Sequence, residues 1–145
     1  MSLQLIPSLD LEVCNELFQN KLSPCFLLRL IWHTRRGMGF PYLVSYLVSG
    51  KITIKLFNTL KRMLDVHRLR DLYLHYLMFV KHKIASIMGI PEEQLGIDAT
   101  KFNLHITIKS KNASDLYYAY KDKIRSLFSD IDFSDYLFYY PYSNP

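Results

Sequence analysis

A histidine and a threonine, His105 and Thr107, lie two positions apart in the apolar stretch LHITI. Leu104, Ile106 and Ile108 alternate with them, which is the two-residue period of a half-buried β-strand. On such a strand the imidazole and the hydroxyl project from the same face. An imidazole exchanges protons near neutral pH, so the pair has the residue types of an acid–base site that acts on a phosphate.

This stretch resembles the local pattern of the 2H phosphoesterases, in which a strand presents His-x-Thr to a phosphate. The resemblance covers five residues. It implies a mechanism that needs two such motifs facing each other, with one histidine as base and the other as acid. The histidines at positions 33, 67, 75 and 82 have neither Thr nor Ser two positions later. We therefore expect a non-enzymatic protein in which His105 faces solvent, and a small phosphodiesterase that depends on His105 and Thr107 is the enzymatic alternative.

The other metal-ligating and nucleophilic residue types are widely spaced. His67, His75 and His82 share one side of a predicted helix, but neighbours are seven or eight residues apart, which places them about 10 Å or more from each other. Two metal ligands from one helix usually lie three or four residues apart. Cys14 and Cys25 lack CxxC spacing, which predicts two buried free thiols. GxxxxGK[ST], GxGxxG and GxSxG motifs are also absent from the sequence, so we expect neither a metal nor a cofactor.

Positive charge is concentrated in the middle of the 145-residue chain, whose formal net charge is +5. Residues 21–90 contain twelve Lys and Arg against two acids. Residues 1–20 hold three acids and no Lys or Arg, and residues 91–145 hold eight acids against six basic residues. This asymmetry indicates a polyanion or an acidic protein surface as the partner of the middle segment. The alternative is that the acidic ends fold back onto the basic middle.

Nine basic residues of the middle segment are the candidate contacts to nucleic acid or to an acidic partner. They are Arg35, Arg36, Lys55, Lys61, Arg62, Arg68, Arg70, Lys81 and Lys83. Tyr73, Tyr76 and Phe79 lie among them in sequence, and basic groups beside aromatic rings suit phosphate neutralisation with base stacking. On a helical wheel the charges spread around the helix, which equally fits an ordinary amphipathic helix with a wet face.

Periodicity and end signals predict the helices that carry these residues. In SPCFLLRLIWHTRRG, Ser23 stands at the N-cap and Gly37 follows the last turn; the apolar run to Trp32 predicts the most buried helix of the protein. A helical run of about thirty residues precedes Gly89, and its length predicts a break near 65–67. Further helices are predicted at about 9–21, 41–49 and 114–129, and GIPEEQLGIDATK is interpreted as a surface loop with one helical turn.

Two similar stretches, KITIKLFN and HITIKSKN, begin at positions 51 and 105. In the first, Ile52, Ile54 and Leu56 alternate with polar residues, which predicts a strand at 51–56 before the next helix. The second stretch indicates a like strand-then-helix unit. The rival interpretation starts a helix at Ile54, with Gly50 in the turn of a helix-turn-helix and LHITIKSK as a wing strand.

Together these patterns predict one domain over residues 1–145, of a helix-dominated α+β class with about five helices and a small sheet of two or three strands. A helix-turn-helix or winged-helix fold is the alternative. The aromatic tail, 134–145, is predicted to form an edge strand or an extended arm. No stretch reaches the roughly 18 apolar residues of a membrane span, and the first twenty residues are acidic, so we expect a soluble protein of a reducing intracellular compartment.

The expected function is that of a non-catalytic binding subunit that docks residues 21–90 onto nucleic acid, with RNA among the candidates, or onto an acidic protein surface. A larger viral, phage or organellar assembly is the expected setting, and self-association is compatible with the aromatic content. A protein-only interaction module or inhibitor is a further alternative.

Overall fold

The computed structural model describes residues 8–131 and 137–139, and within them the chain forms six α-helices and three short strands. The helices are α1 Ser8–Gln19, α2 Pro24–Arg35, α3 Gly39–Val48, α4 Ile54–Arg62, α5 Val66–Met88 and α6 Ala113–Arg125. The strands are β1 Leu95–Ala99, β2 Leu104–Ile108 and β3 Leu137–Tyr139. The predicted helix-dominated α+β class is confirmed. Across the described part of the chain, the helices are too short or too polar to cross a membrane.

The predicted break in the long helical run is confirmed between α4 and α5. Asp65 caps α5 by accepting hydrogen bonds from the backbone N–H groups of His67 and Arg68, at 2.8 and 3.2 Å. These bonds, from Arg68 first and then from His67, lower the pKa of Asp65, so the cap stays ionised at neutral pH. Gly89 ends α5 in the left-handed region, at φ +71°, where glycine is favoured.

The predicted strand at 51–56 is wrong, and the rival interpretation of a helix beginning at Ile54 is correct. The hydroxyl of Thr53 accepts a hydrogen bond from the N–H of Leu56 at 3.1 Å, so Thr53 acts as a helix cap. Leu56, Phe57 and Leu60 are buried at helical spacing. Ile54, which the strand pattern placed inside, is 60% exposed. A short apolar run fits both the two-residue period of a strand and the 3.6-residue period of a helix, and here the capping residue Thr53 decides for the helix.

The second predicted strand is confirmed as β2, but its partner β1 lies in the stretch that was interpreted as a loop. The two pair antiparallel, with Gly96 opposite Thr107 and Asp98 opposite His105. Glycine and aspartate are depleted in strands, which is why the sequence favoured a loop at this position. The sheet order is β1-β2-β3, with β3 parallel to β2. Residues 137–139 of the predicted tail thus form an edge strand, and the rest of 134–145 lies outside the described residues.

The core lies between α2 and α5, but α2 is not buried along its whole length. Leu27 and Leu30 of α2 and Tyr76 of α5 are inaccessible to solvent. Trp32 is 38% exposed, which contradicts its predicted burial. Each residue turns by about 100° around a helix, so Trp32 points away from the side where Ile31 packs.

Arg29 connects α2 to three other parts of the molecule. Its guanidinium donates hydrogen bonds to the hydroxyls of Tyr42 and Tyr46 in α3, at 2.8 and 3.0 Å. It also donates to the backbone carbonyl of Lys101 at 2.6 Å and forms an ion pair with Asp130 at 2.9 Å. This network holds the β1–β2 turn and the segment after α6 against α2.

Candidate nucleic-acid interface

Four helix ends meet at one end of the molecule. Short connections join α2 to α3 and α4 to α5, as is typical of antiparallel neighbours. The junction is tight at Gly39, the first residue of α3. A Cβ atom there would collide with the Thr34 hydroxyl of α2 and lie 3.2 Å from Leu64 Cδ2 in the α4–α5 connection. The end of α2, the start of α3 and the α4–α5 connection are therefore in direct contact.

Six of the nine predicted basic residues lie at these helix ends. Arg35 and Arg70 line one groove between α2 and α5. Arg68 donates a hydrogen bond to the backbone carbonyl of Arg62 at 3.4 Å. Lys61 places its Nζ atom 5.8 Å from the ring centre of Phe57, which packs 5.9 Å from Phe40 at the start of α3. We call this set the basic end: Arg35, Arg36, Lys61, Arg62, Arg68 and Arg70.

The basic end keeps its positive charge. All six side chains are exposed. The ion pairs within residues 8–131 and 137–139 involve other groups: two basic residues, Arg29 and Lys55, and two histidines. The acids nearest in sequence are Asp65, which caps α5, and Asp71, which is exposed. The cluster therefore presents more positive than negative charge to solvent.

Helix stability explains some of these charges and not others. Arg35, Lys61 and Arg62 lie in the last turns of α2 and α4, where the helix dipole favours cations. Arg68 lies in the first turn of α5, where the same dipole disfavours it, and Arg70 follows as the fifth residue of the helix, where the dipole has little effect. Arg68 donates one long hydrogen bond, 3.4 Å, to the carbonyl of Arg62 at the end of α4, and neither arginine forms an ion pair within the described chain, so a ligand explains these two charges better than helix stability does.

The other three predicted residues, Lys55, Lys81 and Lys83, do not join the cluster. Lys55 lies at the start of α4 and pairs with Glu16 at 3.3 Å. Lys81 is eleven residues beyond Arg70 on α5, about 17 Å along the helix axis. Lys83 covers aromatic rings on the α1 side, with its Nζ 5.2 Å from the ring centre of Phe79. The predicted surface over residues 21–90 is therefore reduced to one end of the molecule.

A cluster of aromatic and basic residues adjoins the basic end, and we call Trp32, Arg36, Lys101 and Phe102 the Trp32 cluster. Arg36 Cζ lies 4.7 Å and Lys101 Nζ 4.3 Å from the centre of the Trp32 ring. Lys101 Nζ is also 6.0 Å from the ring centre of Phe102, which is 65% exposed. Sequence reasoning missed Trp32, Lys101 and Phe102. The sequence places the Lys-Phe pair just before the predicted strand but far from Trp32 in the chain, so it does not indicate that these residues meet.

The β1–β2 turn that carries Lys101 and Phe102 is held by its own hydrogen bonds. The N–H of Thr100 donates to the carbonyl of Asn103 at 2.9 Å, and the N–H of Asn103 donates to the Thr100 hydroxyl at 3.1 Å. The guanidinium of Arg29 also donates a hydrogen bond to the Lys101 carbonyl, which holds the turn against α2. The two side chains are thus displayed from an anchored backbone.

His33 lies at the base of this cluster, with its ring centre 4.9 Å from that of Trp32. Its ring stacks on Tyr42 at 4.4 Å between ring centres. Burial lowers the pKa of His33, and the charges of Arg36, Arg29 and Lys101 lower it further. The imidazole is therefore neutral at pH 7 and adds no charge of its own.

His105 and Thr107 lie on the outer face of the β1–β2 hairpin, and His105 is half-buried where exposure was predicted. With Asp98, Thr100 and Lys109 they line a cavity of about 460 Å³. A carboxylate opposite an imidazole can orient it, and a lysine can hold a phosphate. The histidines at positions 33, 67, 75 and 82 belong to α2 and α5, so the described residues provide no second His-x-Thr strand.

The remaining histidines and cysteines have structural surroundings. His75 Nδ1 lies 3.2 Å from Asp10 of α1, and His82 Nδ1 lies 2.6 Å from Glu92, so each ties a neighbouring segment to α5. In the described part of the chain, His, Cys, Asp and Glu side chains form no group of three that would hold a metal ion. Both cysteines are buried and free, as predicted. Burial raises the pKa of Cys14 to about 12 and that of Cys25 to about 11, so both are protonated thiols at neutral pH.

Comparison of the chain with protein-family models, with curated proteins and with solved structures found no match. A functional conclusion for this chain therefore depends on the chemistry of its own residues. The basic end and the adjoining Trp32 cluster are the surface with the most consistent chemistry.

Proposed function

We propose that this protein is a non-catalytic binding subunit that docks its basic end onto nucleic acid. The observation that carries the proposal is the convergence of six exposed cations at three helix ends, with Arg68 placed against the dipole of α5. An intracellular assembly that contains nucleic acid is the setting in which such a subunit works.

Neutralisation of phosphates supplies the binding free energy. Each Lys or Arg that contacts a phosphate releases condensed counterions from the nucleic acid, which makes affinity fall steeply as salt rises. Arginine suits this role because its planar guanidinium binds two phosphate oxygens at once, and five of the six residues are arginines.

Exposed aromatic rings beside the cations favour nucleic acid over an acidic protein as the partner. Trp32 is 38% and Phe40 47% exposed at this end. Bases stack on such rings, and stacking combined with a positive surface is the usual composition of a nucleic-acid interface. An acidic peptide would engage the arginines but leave these rings without a matching group.

Affinity purification with nuclease treatment tests the proposal. The tagged protein is isolated at low salt from cells that express it, and bound nucleic acid is measured before and after nuclease. The variant Arg62→Glu/Arg68→Glu/Arg70→Glu is compared with a control of equal charge change, Lys51→Glu/Lys111→Glu/Lys123→Glu, whose exposed lysines lie outside the basic end.

We expect nuclease-sensitive nucleic acid with the wild type and the control, and its loss with the basic-end variant. Nuclease-resistant co-purification of an acidic protein, lost in the same variant, would replace nucleic acid with a protein partner. Equal recovery of nucleic acid with both triple variants would contradict the proposal.

An enzymatic role is a second candidate, favoured by the placement of Asp98 directly opposite His105 in the hairpin and by the cavity they share with Thr107. In this alternative His105 moves a proton and Thr107 donates a hydrogen bond to a phosphate oxygen. Hydrolysis of a cyclic or linear phosphodiester that is lost in His105→Ala and in Thr107→Val would support it, whereas activity retained in His105→Ala would remove it.

A further inference from the structure

Phe102 is an exposed aromatic ring on an anchored turn. The side chain is 65% exposed, although an apolar ring of this size is normally buried. Its backbone is fixed by the Thr100–Asn103 hydrogen bonds and by the bond from Arg29 to the neighbouring carbonyl. A ring held in solvent on a rigid backbone is pre-organised to stack with a flat ligand group, because little conformational freedom is lost on binding.

Two cations, Arg36 and Lys101, lie against one aromatic ring of the same cluster. Arg36 Cζ lies 4.7 Å and Lys101 Nζ 4.3 Å from the centre of the Trp32 ring, so the two positive charges are at most about 9 Å apart. Neither forms an ion pair with a carboxylate in the described part of the chain. Two like charges held close together repel each other, and an anion placed between them relieves that repulsion. A phosphate offers two unesterified oxygens for such a position.

We propose that the Trp32 cluster binds an unpaired nucleotide, with its base stacked on Phe102 and its phosphate between Arg36 and Lys101. This inference rests on the proposed function and specifies the ligand as single-stranded nucleic acid, DNA or RNA. Arg36 belongs to both the cluster and the basic end, so the flanking phosphates of the strand continue toward Arg35 and Arg70.

Duplex nucleic acid does not satisfy this arrangement. In a duplex the faces of the bases are stacked on each other, and only their edges are accessible in the grooves. The face of Phe102 then has no base to stack on, whereas an unpaired base exposes its whole face. The duplex retains its contacts to the cations, so it binds through charge alone.

Binding of matched oligonucleotides to the full chain tests the inference. Labelled 12-residue oligo-dT, oligo-U and a duplex of equal length are titrated at one salt concentration and followed by fluorescence anisotropy. The variants are Phe102→Ala, Phe102→Tyr and, as control, Tyr118→Ala. Tyr118 is also an exposed aromatic residue, 69% accessible, with Lys121 Nζ 5.5 Å from its ring centre, but it lies on α6.

We expect the single strands to bind more tightly than the duplex, and Phe102→Ala to weaken single-strand binding by about tenfold or more, the usual loss for one stacked base. Phe102→Tyr keeps the ring and the affinity, Tyr118→Ala behaves like wild type, and duplex binding changes less than twofold in every variant. A duplex that binds as tightly as the single strands, or a Phe102→Ala variant with wild-type affinity, overturns the inference while leaving the proposed function standing. Absence of binding to all three oligonucleotides overturns both.

Discussion

Arg29 is the residue on which the placement of the Trp32 cluster depends. Arg29 is the centre of a polar network that joins α2 to α3, to the β1–β2 turn and to Asp130. Its hydrogen bond to the Lys101 carbonyl holds the turn so that the Lys101 side chain lies over Trp32. Its ion pair with Asp130 is almost completely buried, with 14% of the Arg29 side chain and none of the Asp130 side chain exposed. Arg29 is therefore a positioning residue for the proposed ligand and contributes its charge to the interior.

Removing the Arg29 charge should destabilise the protein in a pH-dependent way. Burial raises the pKa of Asp130, and hydrogen bonds from Ser23 and the charge of Arg29 oppose that rise. In Arg29→Met the opposing charge is lost, so the folded-state pKa of Asp130 rises further above its unfolded value. At pH 7 the buried carboxylate then lacks its partner, and we expect a loss of about 3 to 5 kcal/mol in the free energy of unfolding.

Acidification should reduce the loss of unfolding free energy that Arg29→Met causes. A carboxyl group whose folded pKa lies above its unfolded pKa gains a proton in the folded state first, so stability increases as the pH falls through the folded value. That gain begins at a higher pH in Arg29→Met than in wild type. Urea unfolding of wild type and Arg29→Met at pH 7 and pH 5 measures the difference in unfolding free energy at each pH. The control is Lys55→Met, which breaks the exposed Lys55–Glu16 pair and should cost at most about 1 kcal/mol. A deficit that grows on acidification would contradict the assigned role.

At the scale of the secondary-structure elements, the ends of helices were easier to predict than the strands. Ser23, Asp65 and Gly89 are local signals, and each marks a helix end in the structure. Thr53 is a local signal of the same kind, but the alternation of Ile52, Ile54 and Leu56 obscured it. Strand β1 depends on pairing with β2 and not on its own residues, so its sequence alone favoured a loop.

The candidate interface was likewise predictable only in part. Arg35, Arg36, Arg68 and Arg70 were identifiable from the charge pattern, because each lies beside a recognisable helix end. Lys101 and Phe102 join them only through the hairpin that folds back to Arg29, a contact between residues far apart in the chain. Local patterns do not contain such contacts, which is why the Trp32 cluster was missed.

The start of α5 offers a test that separates binding from folding. In Arg68→Glu the new carboxylate gains about 0.3 to 1 kcal/mol near the positive end of the α5 dipole and the long hydrogen bond to the Arg62 carbonyl is lost, so we expect stability to change by less than about 1 kcal/mol. Affinity for a labelled oligonucleotide should nevertheless fall. Thermal unfolding and anisotropy on the same preparation measure the two effects, and Lys111→Glu provides an exposed charge reversal elsewhere. Loss of stability together with unchanged affinity would show that Arg68 serves the fold.

The close approach of α2, α3 and the α4–α5 connection at Gly39 can be tested directly. In Gly39→Ala the added methyl group collides with Thr34, so we expect a loss of about 1 to 3 kcal/mol on unfolding. Gly96→Ala is the matched control, because a Cβ atom there meets its nearest neighbour at an ordinary 3.5 Å. Urea denaturation of both variants checks the expectation. Equal stability of the two would mean that the helix ends do not meet as described.

At the scale of the whole molecule, the chain separates its charges in space. Two of the three acids of α1 pair away from the basic end, Glu16 with Lys55 and Asp10 with His75, and the third, Glu12, is exposed. Asp130, from the acidic C-terminal part, is used in the interior by Arg29. The acidic ends therefore pair with the basic middle at Arg29, Lys55 and His75, as the self-complementary alternative expects, but none of these pairs involves the six residues of the basic end.

The salt dependence of single-strand binding tests the central claim most directly. Labelled oligo-dT is titrated with wild type and with Arg62→Glu/Arg68→Glu/Arg70→Glu at several salt concentrations, and the logarithm of the binding constant is plotted against that of the salt concentration. If all six cations of the basic end contact phosphates, the slope for wild type should be about −4, and the variant should be shallower by about 2. A wild-type affinity that does not change with salt, or an identical slope for the variant, would contradict the assignment of the basic end as the binding surface.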